Sequence, residues 1–149
     1  KLIDAGEKVR FVFVGEGDLL ESIEEKTNEL HLMDYVVFAG ITGDVSPWFE
    51  KSDLFMLPSK WEGMPMTLIE AMSAAMPIIA ANVGGVSDML QNGKSAILIE
   101  PNADDLSNKI LELKKDEELR KRLGREALKE SIKFTAEHMG EEYNEIFSN

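Results

Sequence analysis

The sequence predicts an α/β fold in which a parallel sheet is covered by helices on both faces. Three observations carry that prediction. Short β-branched and aromatic runs alternate with longer amphipathic segments, the pattern of repeated βαβ units. The short runs are nearly all apolar, as befits strands buried on both faces. Most of them stop at a glycine or proline, at Gly15, Gly40 and Pro58, which are strong local breakers. In such sheets ligands bind beyond the carboxyl ends of the strands. The segments 15–17, 40–43, 59–65 and 83–86 all follow strands and are expected along one edge of a single sheet.

The elements follow in order. Residues 9–14 read as a strand ended by Gly15. Residues 18–32 place Leu19, Leu20, Ile23, Leu30 and Leu32 among acids and lysines, an amphipathic helix. Residues 35–39 form a second strand. Residues 45–49 form a short helix, with Ser46 as its expected cap and Pro47 in its first turn. A third strand covers 54–57, a helix 66–75 and a fourth strand 77–81. Residues 85–91 form a short helix, Asn92-Gly93 a turn and 96–99 a fifth strand. Helices over 103–115, 117–128 and 135–147 complete the chain.

At 149 residues this is one domain with room for a substantial core. The balance of 28 acids against 16 bases, net −12, argues against nucleic acid, whose binding rests on Lys and Arg. No apolar run approaches the roughly 20 residues that span a bilayer, and no secretory signal pattern opens the chain. Zero cysteines exclude disulfides, thiolate metal sites and a Cys nucleophile; a cytoplasmic location is expected. His31 and His138 lie in separate helices without ligand-spaced neighbours, and Glu24-Glu25 and Asp104-Asp105 lack a calcium-loop pattern. No metal is expected. The mixed charges over 112–129 read as a solvated helix face, and the two tryptophans and eight methionines as core and loop packing.

The most informative stretch runs from Pro58 to Pro77, PSKWEGMPMTLIEAMSAAMP. It carries Glu62 in a Gly/Pro-punctuated loop and Glu70 inside the helix that the loop opens. A helix N-terminus is a ready seat for an anion such as phosphate. Two carboxylates flanking that seat supply acceptors for hydroxyls, as a sugar-nucleotide site requires. Glu70 lies about four residues into the helix, roughly 6 Å from its start at ~1.5 Å per residue. Taken alone, two acids at this spacing are better read as surface acids of an amphipathic helix, since acids suit helix starts.

In its wider setting the run resembles the Glu-x7-Glu signature of the retaining glycosyltransferases of the GT-B fold, the large group 1 family. The matching positions are Pro58, Ser59, Glu62, Gly63, Pro65, Glu70, Ala71, Met72 and Pro77. Residues 78–86, IIAANVGGV, resemble the family's next strand and Gly-Gly loop; residues 11–17, FVFVGEG, resemble its strand ending in Gly-x-Gly. The resemblance spans essentially the whole chain. It implies a Rossmann-like C-terminal half of a GT-B fold that binds a nucleotide-sugar donor. It further implies that Glu62 faces the transferred sugar as the catalytic-site acid and that Glu70 accepts bonds from the ribose hydroxyls. Gly63, Met64 and Pro65 would present backbone to the sugar, with Pro65 in the first helical turn. The N–H groups of Met66 and Thr67 would meet the diphosphate, Gly15 and Gly17 would lie under the donor, and Ile41 near the base. Gly84 and Gly85 would form a sugar or acceptor loop. Two departures stand out. Asp88 replaces the family's glutamate, and Ala75 replaces its usual glycine, a change read as small-for-small packing.

By the same resemblance residues 1–149 are a nucleotide-sugar-binding domain truncated at its N-terminal edge, the acceptor domain being absent. A basic pair for the diphosphate would precede the 9–14 strand. A glycan or lipid-linked acceptor, in bacterial polysaccharide or cell-surface glycan synthesis, would reach the site through the missing domain. Peripheral membrane contact would belong to the full-length enzyme. No cofactor is implied, the NDP-sugar (UDP-linked) being a substrate. Two alternatives stay open: a nucleotide-sugar epimerase of the same architecture, and a non-catalytic α/β binding module. A receiver-like module would want a phosphorylatable aspartate at a strand end; Asp53 instead precedes its strand.

Overall fold

The computed structural model describes residues 1–147, apart from the side chains at 139, 142, 145 and 146. The chain divides into two compact units, Lys1–Pro47 and Trp48–Asn149.

In the first unit β1 (Phe11–Val14) runs parallel to β2 (Val36–Gly40), with Phe11 opposite Val36 and Phe13 opposite Phe38. The Phe13 and Phe38 rings stack with centroids 5.4 Å apart. The crossover is α1 (Leu20–Glu29). This helix stops earlier than its apolar pattern suggested, because His31 takes a left-handed φ of 56°. The His31 N–H donates to Asn28 O and the Leu32 N–H to Thr27 O, both at 2.9 Å, the paired bonds of a Schellman motif. His31 is thus a helix terminator.

The short α2 (Ser46–Glu50) spans the boundary between the units. Its cap is Asp44 rather than Ser46: the Ser46 N–H donates to Asp44 Oδ1 at 2.9 Å. Ser46 is already the first helical residue, so it stands past the position from which a side chain caps the first turn.

In the second unit β3 (Phe55–Leu57), β4 (Ile78–Ala81) and β5 (Ile97–Ile99) form a parallel sheet in the order β3-β4-β5. All four β4 residues are buried. Successive strand side chains point to opposite faces, so both faces of this sheet are covered. The helices are α3 (Met66–Ser73), α4 (Val86–Met89), α5 (Ala103–Lys115), α6 (Glu117–Ser131) and α7 (Ala136–Phe147). Asn102 caps α5 through the N–H groups of Asp104 and Asp105, and Asp116 caps α6 through that of Leu119 at 2.8 Å. The Asp104-Asp105 pair is therefore a first-turn feature that suits the helix dipole. Leu68, Met72, Ile78, Leu113 and Leu123 are fully buried, each contributing roughly 1.5–3 kcal/mol by removal from water.

The fold class is the expected one: parallel strands, right element order, flanking helices. The ladder is not one continuous sheet, however. Among the described residues β1 pairs with β2, and β3 to β5 pair with one another. Within each ladder neighbouring strands are joined by a helical crossover, the connection parallel pairing requires. The link from β2 to β3 carries only the five-residue α2.

Ala75 also departs from expectation. Its φ is 53°. Its N–H donates to Met72 O and the Met76 N–H to Ala71 O, both at 3.0 Å, a second Schellman motif closing α3. Glycine suits this position because of its backbone conformation, not merely its size. Close packing instead falls on Gly124 of α6, where a Cβ would lie 2.1 Å from Ala75 O.

Candidate functional site

Residues 58–65, between β3 and α3, form neither helix nor strand. Pro65 is buried and extended (φ −71°, ψ 115°) as the N-cap of α3. It stands one position before the first turn, a correction to the sequence expectation. The Pro65 carbonyl accepts from the Leu68 N–H at 3.0 Å. Met66 and Thr67 hold the first two helical positions, whose N–H groups have no intrahelical acceptor. No side chain caps this end. Its donors and its share of the helix dipole are therefore available to an anion.

Glu62 is half-buried in the loop, and Glu70 is exposed on the second turn of α3. The loop lies directly against the turn that follows β4. The Gly85 N–H donates to Glu62 O at 3.2 Å. A Cβ on Gly84 would fall 2.0 Å from Glu62 O, and one on Gly85 1.8 Å from Gly63 O. Thus Glu62, Gly63, Gly84 and Gly85 meet at one edge of the three-stranded sheet, the carboxyl ends of β3 and β4. Met64, Met66 and Thr67 are exposed beside them in the chain. Asp88 is exposed in the first turn of α4.

Gly15, Gly17 and Ile41 belong to the first unit. The Gly15 N–H donates to Gly40 O at 2.7 Å, so the loops after β1 and β2 share one end of their sheet. Gly15 and Gly40 have φ of 121° and 68°. A Cβ on Gly15, Gly17, Gly40 or Gly43 would meet nothing within 4 Å. The backbone of these loops thus borders open space. Ile41 is 68% exposed. Nearby, bonds from the Ser46 hydroxyl and backbone hold the Asp44 carboxyl below its ordinary value.

Trp61 is the residue that a packing reading misses, while Met64 and Met66 are expected at the site through their backbone alone. Trp61 is 80% exposed, Met64 58% and Met66 61%, so large apolar side chains flank Glu62 in solvent. An isolated tryptophan next to the key acid was the available signal. A further hollow of about 230 Å³, lined by Asp53, Ala75, Pro77, Glu117, Arg120 and Lys121, lies at the amino ends of β3 and β4, away from these loops. Among the described residues no three His, Asp or Glu side chains gather closely enough to hold a metal ion. No helix there is long and apolar enough to cross a membrane.

Residues 1–130 match the family described as glycosyl transferases group 1. The chain belongs to this family, and its fold is that of a C-terminal GT-B glycosyltransferase domain. It is 36% identical over 140 residues to an uncharacterized glycosyltransferase, MJ1178, of Methanocaldococcus jannaschii, covering 91% of this chain and 40% of that protein. It is 31% identical over 141 residues to the N-acetyl-alpha-D-glucosaminyl L-malate synthase of Bacillus anthracis, covering 93% and 37%. Among solved structures it is similar to a mutant of S. aureus TarM in complex with Fondaparinux, alpha-GlcNAc-glycerol and UDP. The TM-score is 0.87 at 27% identity, over 99% of this chain and 30% of that one. The chain therefore spans 30–40% of the length of these proteins.

Proposed function

We propose that this chain is the donor-binding domain of a retaining glycosyltransferase that moves a sugar from a UDP-linked donor to a glycan or lipid-linked acceptor in polysaccharide or cell-surface glycan synthesis. The observation that carries the reading is the uncapped start of α3, bracketed by Glu62 before it and Glu70 one turn within it. In this reading the Met66 and Thr67 N–H groups face the diphosphate. They stabilise the charge that grows there as the glycosidic bond breaks. Glu70 accepts from the ribose hydroxyls, Glu62 from a hydroxyl of the transferred sugar, and Gly63 to Pro65 lend close backbone. Transfer is same-face: the acceptor oxygen attacks the anomeric carbon, the sugar–phosphate bond breaks, and the leaving phosphate takes the acceptor proton. Backbone donors meet the diphosphate charge, so the reading needs neither metal nor cofactor.

The short span against its relatives supports placing the acceptor site and a basic pair for the diphosphate outside this chain. The working enzyme is proposed as cytoplasmic, with peripheral membrane contact made elsewhere in it. A domain of net charge −12 repels anions at long range, and catalysis needs both substrates in one geometry. Residues 1–149 alone are therefore expected to bind UDP-sugars with a Kd of about 1 mM (about −4 kcal/mol) and to transfer nothing. Amide resonances followed during a UDP-sugar titration test this. Shifts centred on Met66, Thr67 and Glu70, weakened about tenfold or more by Glu70→Gln, support the reading. An unperturbed α3 at saturating ligand, or sugar transfer by this chain alone, overturns it.

A further inference from the structure

We infer that Gly84 and Gly85 act as positioning residues that latch the Glu62–Gly63 backbone onto the buried end of β4, instead of lining the ligand space themselves. The functional consequence rests on the donor-site reading above; the latch itself does not.

The argument begins at the root of the turn. The Asn82 N–H donates to Ile99 O at 2.8 Å, the Val83 N–H to Ala81 O at 2.9 Å and the Val86 N–H to Val83 O at 3.1 Å. The Ser87 hydroxyl closes on Gly84 O at 3.0 Å. Val86 is fully buried in the same cluster as Leu68 and Met72 of α3. The turn after β4 is thus fixed at both ends. The 58–65 loop has no helix or strand of its own, so its shape must come from what it rests on. It rests on this turn. Two successive carbonyls, of Glu62 and Gly63, occupy the places where two successive Cβ atoms would stand. The Gly85 N–H closes the contact. Because the neighbours are backbone, a side chain could not be admitted by a rotamer change. It would displace the loop that carries Glu62.

The two glycines separate two causes. Gly84 has φ +44°, so glycine is required there for conformation as well as space. Gly85 has φ −67°, which alanine adopts freely. Any effect of Gly85→Ala therefore reads the carbonyl seat alone. Gly93 offers the opposite control, with φ +74° and nothing within 4 Å.

The experiment uses the 149-residue chain with Trp48→Phe, leaving Trp61, 80% exposed beside Glu62, as the only tryptophan. In the ligand-free protein the residue-85 amide is expected to exchange at least tenfold more slowly than an open amide. Gly85→Ala should abolish that protection, shift the amide resonances of 62–67 and alter acrylamide quenching of Trp61, while β4 and β5 amides stay protected. Gly93→Ala should leave 62–67 unmoved. With UDP as probe, Gly85→Ala should weaken binding about tenfold by displacing the 62–67 backbone, whereas Glu62→Gln, whose carboxylate meets only the transferred sugar, should leave UDP binding unchanged. An unprotected residue-85 amide in the parent chain overturns the latch, and that measurement needs no variant to fold. Unchanged 62–67 resonances in Gly85→Ala overturn it too, as does an equal shift from Gly93→Ala. If UDP fails to bind the parent chain, the donor reading falls while the ligand-free results still decide the latch.

Discussion

The two units use the same building plan and hold it together differently. Both are parallel strands joined by helices, with glycine-marked loops at the strand ends. In the second unit β4 is buried throughout, and Gly85 and Gly124 sit where a Cβ would collide with backbone. In the first unit Val12, Phe13 and Val14 of β1 are 37%, 45% and 40% exposed, and no loop glycine has a neighbour at its missing Cβ. Close approach falls on Gly84, Gly85 and Gly124 of the second unit and on no glycine of the first, whereas Gly93 of the second unit, like Gly15 and Gly40 of the first, serves backbone conformation beside open space. The comparison teaches that one residue type in one kind of loop carries two different physical messages. Only the surroundings tell them apart.

The largest expected effects would break or confirm this contrast in packing. Leu68→Ala empties a fully buried site and should destabilise the second unit by about 2–5 kcal/mol, transfer and cavity terms together. Phe13→Ala removes a half-exposed ring stacked on Phe38 and should cost about 1–2 kcal/mol, since much of that ring is already in water. Urea unfolding followed separately for each unit measures both, and equal losses would erase the distinction. Next in size is Gly124→Ala. Its Cβ has no room beside Ala75 O, so overpacking of about 1–3 kcal/mol is expected. Gly43→Ala in the first unit should stay within about 0.5 kcal/mol of the parent. A comparable loss at Gly43 would mean that its loop is packed after all.

A smaller contrast concerns pH. Glu130 on α6 has a side chain only 11% exposed, beside Lys133 and Lys94. The Gln91 amide donates to it at 3.0 Å. The hydrogen bond from Lys133 holds its carboxyl below the ordinary value of 4.5. A lowered carboxyl binds fewer protons in the folded state than in the unfolded one. The stability it lends is therefore present above about pH 4.5 and lost as pH falls through the folded value. Acid titration of the second unit should show that loss, and Glu130→Gln should flatten it. An unaltered acid limb in the variant would show that Glu130 contributes nothing to it.

Much of this architecture was legible in the chain. The order of elements was, because strands this short and apolar end on glycine or proline. The limits of α5 were too, the expected 103–115 being the observed Ala103–Lys115. The Glu62–Gly63 run and the Gly84–Gly85 pair could be marked as candidates. Their contact could not, because two glycine-bearing loops announce no partner and the meeting is backbone on backbone across distant sequence. The division into two ladders was hidden for a related reason: strand pairing depends on which edges meet, and both ladders have the same apolar pattern. Pro65 was placed one position late because proline is acceptable both as N-cap and in the first turn. Trp61 was lost because an exposed and a buried tryptophan look alike in a sequence.

The smallest prediction sets one motif against itself across the two units. Both α1 and α3 end in Schellman motifs whose left-handed residue is not glycine, His31 at φ 56° and Ala75 at φ 53°. A left-handed backbone costs an L-residue about 1–2 kcal/mol, while glycine gives back about 0.4–1 kcal/mol through the freedom of its unfolded chain. Ala75→Gly should therefore stabilise the second unit by about 0.5–1 kcal/mol. Histidine enters this region more readily than alanine, so His31→Gly should gain less, about 0–0.5 kcal/mol. Thermal unfolding of the two variants beside the parent measures the difference. A loss of stability in Ala75→Gly would show that its methyl group contributes more through packing than its backbone strain removes, which would restore the reading of that position as a matter of size alone.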